Sequence, residues 1–133
     1  MKIKNFLTGC FMSKASYRLQ TIFQAIEDIE YITTTDELKV TKAIENRLIK
    51  PAIRMNIVRI AEQFNKLKDD NAFKILEQFD PDDLRGINAV RNYIAHDYDS
   101  TDDHIIEDVI RYNIPVLKKI VLELLIKEKE NEL

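Results

Sequence analysis

The chain has 133 residues, enough for one domain and not comfortably for two. Leu, Ile, Val and Phe make up about a third of it, so it can build a core, and two glycines with three prolines exclude turn-rich β, collagen-like and low-complexity classes. With 20 basic against 23 acidic residues the net charge is −3, which excludes a nonspecific nucleic-acid coat but leaves room for a local basic site.

Residues 1–12, MKIKNFLTGCFM, are expected to be a leader, either loosely ordered or upstream of a true start at Met12. The lysines and Cys10 give it a superficial likeness to a lipoprotein signal. Only Phe6 and Leu7 form an apolar stretch before Cys10, however, where a signal needs roughly 7–15 such residues. Cys10 is the single cysteine, so an intrachain disulfide and a Cys-based zinc site are excluded. A lone thiol suits a reducing compartment, and a cytoplasmic location is expected. No apolar run is long enough to span a membrane.

Residues 13–133 read as one helical domain. Ala15, Leu19, Ile22, Phe23, Ile26 and Ile29 recur at spacings of three and four, which predicts a first helix over Lys14–Ile32, capped by Ser13. Thr33, Thr34 and Thr35 read as its break, with Thr35 capping a second helix over Asp36–Leu67. Pro51 falls in the middle of that helix. Val40, Ile44 and Leu48 lie on one side before the proline, and Ile57, Ile60, Ala61, Phe64 and Leu67 lie roughly opposite after it. A proline inside a helix removes a hydrogen bond and clashes with the preceding turn. The segment is therefore either two helices or one long helix with a kink, apolar on two sides; the kinked form is the expectation, and it would leave a face for a partner chain.

A short helical stretch is expected over Asn71–Phe79. Asp80-Pro81-Asp82-Asp83 is a strong helix start, with a cap, a proline in the first position and acids in the first turn. That helix should run to about His96. Asp97–Thr101 is a connector, and Ser100 or Thr101 should cap the next helix, which carries Ile105, Ile106, Val109 and Ile110. Asn113-Ile114-Pro115 restarts the chain into a last apolar helix. With no strand candidate and no internal repeat, the fold expected is an all-α antiparallel bundle of four to six helices.

The catalytic inventory is short. There are two histidines, no glycine-rich phosphate loop, and no HExxH or EF-hand spacing. Asp102-Asp103-His104 invites a metal reading, but helix starts favour acids anyway, and no metal or cofactor is expected. One segment stands apart: Arg91-Asn92-Tyr93-Ile94-Ala95-His96-Asp97-Tyr98. Arginine keeps its charge and presents a planar fork to phosphate. Histidine is the side chain suited to moving protons near neutrality. Asn92 lies four residues before His96, where it can orient the ring.

The pattern R-x-x-x-x-H-x-Y, here Arg91, His96 and Tyr98, resembles the signature of HEPN domains of the HepT-like toxin family. LRGINAVRNYIAHDY over Leu84–Tyr98, IVRIAEQFNKL upstream and Asn113-Ile-Pro downstream extend the resemblance to about residues 14–126. The resemblance implies a HEPN-like fold and a homodimeric, metal-independent endoribonuclease acting as the toxin of a toxin–antitoxin pair. It implies an MNT-type minimal nucleotidyltransferase as antitoxin partner, which in some members silences the nuclease by AMPylation of the motif tyrosine. On that reading Arg91 and His96 carry cleavage, Asn92 is the polar neighbour of the arginine, and Tyr98 is the modified residue.

The chemistry of the residues is consistent with this. Metal-free RNA cleavage uses the substrate's 2′-OH, a base to take its proton, an acid to protonate the leaving oxygen and a cation for the phosphoryl charge. Yet five residues at 100° each set Arg91 and His96 roughly 140° apart on one helix. Either the helix unwinds near Ala95–His96, or a second copy supplies the missing group across a two-fold axis; the dimer is expected. An anionic adduct on Tyr98 would crowd the phosphate site.

The plainer reading gives Arg91 a carboxylate partner at a bundle seam, places His96 at a helix end for its charge, and makes Tyr98 a lid on the core. A basic stripe of Lys39, Lys42, Arg47, Lys50 and Arg54 spans an arc of about 140° on the expected second helix. It is either a solvated face or a track for RNA or an acidic partner. The competing function is a noncatalytic helical adaptor that binds a nucleotidyltransferase.

Overall fold

The computed structural model describes residues 13–34, 40–96 and 102–132. The expected leader over 1–12, the Thr35 cap, and the connector residues Asp97, Tyr98, Ser100 and Thr101 lie outside them. Among the described residues the protein is helical and has no strand.

Helix α1 spans Lys14–Thr34. Ser13 starts it as expected, its Oγ accepting from the Ser16 backbone N–H at 3.0 Å. Leu19, Ile22, Phe23, Ile26 and Ile29 are buried, so the apolar stripe is the core face. The helix runs through Thr33 and Thr34 rather than breaking there. Their hydroxyls donate back to the carbonyls of Ile29 (3.0 Å) and Glu30 (2.7 Å), a local bond that lets a β-branched residue stay helical.

The expected kinked second helix is two helices. Helix α2, Val40–Glu45, ends before the proline, and α3, Lys50–Asp69, begins at it. Asn46 makes the turn between them: its Oδ1 accepts from the backbone N–H groups of Leu48 and Ile49 at 2.9 and 3.1 Å. Pro51 sits in the first turn of α3, where its missing N–H has no intrahelical partner to lose. Leu48, expected on an apolar face, falls in the turn and is 84% exposed. Helix α3 buries Ile53, Ile57, Ile60, Ala61, Phe64 and Leu67. It closes at Asn71, whose φ of 59° is the left-handed conformation asparagine tolerates. Ala72 N–H reaches Leu67 O and Asn71 N–H reaches Lys68 O, a Schellman pattern that satisfies the helix's last carbonyls.

Of the stretch expected over Asn71–Phe79 only one turn, α4 (Phe73–Leu76), is helical. Phe79 then packs edge-on against Phe64, with ring centroids 4.9 Å apart. Helix α5, Pro81–His96, has the expected bounds, and Asp80 Oδ1 accepts from Asp82 N–H at 2.8 Å. Helix α6, Asp103–Asp108, is capped by Asp102, which accepts from His104 N–H at 2.8 Å. The cap is therefore Asp102, not Ser100 or Thr101, because a carboxylate next to the first helical residue reaches those donors directly. The chain does not restart at Asn113. It widens into a π-helical turn over Val109–Asn113, and Ile114 N–H bonds Val109 O, before α7 continues over Ile114–Glu132. The wider turn accommodates Pro115, which has no N–H and would crowd an α-helical turn before it.

Side-chain pairs fix the packing directions. Arg18 meets Asp70 and Arg59 meets Asp28, so α1 and α3 are antiparallel. Ser16 meets Glu128 and Lys118 meets Glu30, so α1 and α7 are antiparallel too. Asn65 meets Asn88 and Arg91 meets Glu62, which sets α5 antiparallel to α3. The bundle is the all-α architecture expected, with α1 and α3 at its centre and α5 laid along the outer side of α3. Leu19, Ile22, Ile26 and Ile29 are fully buried, each stabilising the fold by roughly 1.5–3 kcal/mol.

Candidate active site

Helix α5 positions the motif. Leu84, Ile87, Val90 and Ile94 turn inward, and the residues between them are placed by that register. Arg91 borders the inward stripe, and its side chain is only 33% exposed, in the groove between α5 and α3. Two contacts and one unmade bond define its state. Nη1 donates to Asn92 Oδ1 at 2.9 Å. Nη2 stands 3.7 Å from Glu62 Oε1, too long for a hydrogen bond. Nε is buried and has no hydrogen-bond partner among the described residues. The guanidinium is thus held in place but under-satisfied. A buried donor left unmade costs about 1–3 kcal/mol, and the oxygens of a phosphodiester would offer acceptors where Glu62 offers a distant one.

His96 is the last residue of α5; it is exposed, and among the described residues it makes no side-chain hydrogen bond. The helix is regular up to it, so the 140° between Arg91 and His96 is not reduced by unwinding. Asn92, expected to orient the His96 ring, instead accepts from Arg91. The i, i+1 contact wins because Arg91's long side chain can fold back to donate a charge-assisted hydrogen bond, which is stronger than a neutral one. Tyr98 lies outside the described residues.

The basic stripe does not form one face. Lys39 lies outside the described residues; Lys42 is exposed on α2 and Arg47 is exposed in the turn after it. Lys50 and Arg54 both reach Asp103, at 3.0 and 2.9 Å. Arg54 is 2% exposed and ties the start of α6 to α3. The break at Asn46 separates what a continuous helix would have aligned, and one carboxylate takes two of the five cations. Asp102 and Asp103, weighed above as metal ligands, are a helix cap and this anchor.

Sequence reasoning missed Glu62. A signal existed: Glu62 borders the α3 stripe of Ile60, Ala61 and Phe64 as Arg91 borders the stripe of α5, and opposite charges at two seam edges attract. The seam carboxylate of the plainer reading is present, but at 3.7 Å and 47% exposure it is a weak partner.

A family profile described as Ribonuclease HepT-like matches residues 16–124. The chain belongs to the HepT-like ribonuclease family. No solved structure matches it. The matched span of this HepT-like chain includes Glu62 and the whole segment from Arg91 to Tyr98, and it agrees with the extent of the resemblance carried by the motif and its flanks. Among the described residues no helix is long and apolar enough to cross a membrane.

Proposed function

We propose that this HepT-like chain is a metal-independent endoribonuclease toxin whose site is composite, Arg91 from one protomer and His96 from its partner. The observation that carries the reading is the uninterrupted α5. It leaves an under-satisfied guanidinium in the groove and, on another side of the same helix, an imidazole that makes no hydrogen bond among the described residues. A two-fold axis beside the exposed C-terminal half of α5 brings the missing group from a second copy. The two copies then line one cleft, with Asn92 steering each arginine.

In the reaction, an imidazole takes the proton of the substrate 2′-OH, and that oxygen attacks the adjacent phosphorus. The bond from phosphorus to the 5′-oxygen breaks, and a protonated imidazole returns a proton to the leaving oxygen. Arg91 stabilises the charge that grows on the non-bridging oxygens. Glu62 yields its distant hold on Arg91 as the phosphate arrives. An MNT-type nucleotidyltransferase is the proposed antitoxin. Its AMP adduct on Tyr98 would add a phosphate and a nucleoside to the motif segment and silence the nuclease.

The test is incubation of the purified protein with single-stranded RNA in the presence of a chelator. Cleavage by the unaltered chain that is lost in His96→Ala and in Arg91→Ala supports the proposal. Absence of cleavage by the unaltered chain supports the second reading, a noncatalytic adaptor for the nucleotidyltransferase. The net charge of −3 and the commitment of Lys50 and Arg54 to Asp103 favour that second reading, since both thin the positive surface.

A further inference from the structure

One turn of α5 before Arg91, the same α3–α5 groove opens into a cavity of about 270 Å³. Its floor is apolar: Phe64 and Ala61 from α3, Leu76 from α4, and Leu84 and Ile87 from α5. Its rim is polar, with Asn65 and Lys68 on one side and Asn88 and Arg85 on the other. Asn65 Nδ2 donates to Asn88 Oδ1 at 3.1 Å. That bond leaves Asn65 Oδ1 as an acceptor and Asn88 Nδ2 as a donor on two residues that line the cavity. Lys68 makes no ion pair among the described residues, and Arg85 pairs only with Asp82, on the exposed surface of its own helix.

We infer that this cavity is a base-reading subsite for single-stranded RNA. It takes the nucleobase of a nucleotide next to the one whose phosphate lies at Arg91. The inference rests on the ribonuclease reading proposed above and adds to it a preference for substrate sequence. A splayed-out base needs an apolar slot and an edge of fixed donors and acceptors, and the paired amides provide one of each. Its own phosphate needs a cation at the mouth, and Lys68 and Arg85 flank it. Asn88 precedes Arg91 by three residues, about 4.5 Å along the axis and on the same face, so base slot and phosphate site follow one strand. A double-stranded substrate cannot present a base this way, so the subsite also selects for unpaired RNA.

The experiment measures cleavage of a set of ten-nucleotide single-stranded RNAs that vary in sequence, by the unaltered chain and by Asn88→Ala, Asn65→Ala and Lys68→Ala. Thermal unfolding confirms that each variant is folded. The expected result is a base preference at one position beside the cut. That preference should fall by at least about fivefold in the asparagine variants, as loss of a base-edge contact predicts. In Lys68→Ala the rate on every sequence should fall while the preference persists. Cleavage without base preference, or a preference unchanged in both asparagine variants, overturns the subsite and leaves the nuclease standing. If the unaltered chain does not cleave at all, binding of the same fluorescein-labelled RNAs decides: sequence-dependent binding lost in Asn88→Ala supports the subsite without the nuclease, and its absence overturns both.

Discussion

Two arginines on neighbouring helices are used in opposite ways. Arg54 is buried and meets Asp103 at 2.9 Å, with Lys50 on the same carboxylate. Arg91 is a third exposed, and among the described residues the one carboxylate within 4 Å of it, Glu62, stands 3.7 Å away, too far for a hydrogen bond. The first is a fastening: its charge is matched on the spot, and it holds α6 to α3. The second is held by helix packing and by Asn92, not by a matching anion. A charge whose position is fixed but whose partner is distant can exchange that partner for an anion from outside. The sequence pattern put Arg91 in a motif and Arg54 in a basic stripe open to RNA; the company each keeps in the fold gives Arg54 to the scaffold.

Removing the chemistry while sparing the fold separates the two roles most clearly. His96→Ala should lower RNA cleavage by roughly 10²–10⁴-fold, the range for loss of a general acid or base, with an unchanged unfolding midpoint. A variant that unfolds earlier would assign His96 to the fastening class instead. Arg54→Ala should behave inversely in a denaturant titration. Breaking a buried pair costs about 3–5 kcal/mol, and here Asp103 is a third exposed and keeps Lys50, so a loss of about 2–3 kcal/mol is expected.

Smaller effects sharpen the contrast. Glu62→Gln removes an ion pair that is nearly half exposed, so stability should change by less than about 1 kcal/mol. Freed of that competitor, Arg91 should bind single-stranded RNA a few-fold tighter in a low-salt anisotropy titration; weaker binding would make Glu62 a support of the site and not its placeholder. Leu48→Ser should be the mildest change, within about 0.5 kcal/mol, because the side chain is in the turn before α3. A continuous kinked helix with Leu48 on its apolar side would lose roughly 1.5–3 kcal/mol instead.

The stripe of α1 and the start of α5 were legible because each rests on neighbours in sequence: Leu19 to Ile29 at helical spacing, and Asp80 capping the turn that Pro81 opens. The break before Pro51 was half legible. The proline announced a disruption, but the form it took depended on Asn46 offering two hydrogen bonds to the turn, and the helical count across it misplaced Leu48. Thr33 and Thr34 read as a break because β-branched polar residues usually disfavour a helix, and their back-bonds reversed that preference. Within the site, Arg91 at the edge of the core stripe was legible from its register. The role of Asn92 was not, since its spacing to His96 and its adjacency to Arg91 both allow a bond and only geometry chooses. The Asp103 anchor joins residues about fifty apart in the chain, a separation that no periodicity spans.

One protomer's Arg91 is proposed to work with the other's His96, and mixing two inactive variants tests that pairing. Arg91→Ala and His96→Ala should each be inactive alone. After joint unfolding and refolding in equal amounts, half of the dimers are mixed and each mixed dimer holds one intact pair, so about a quarter of the original cleavage should return. A mixture as inactive as its components, with mixed dimers shown to have formed, would contradict a site shared between two chains.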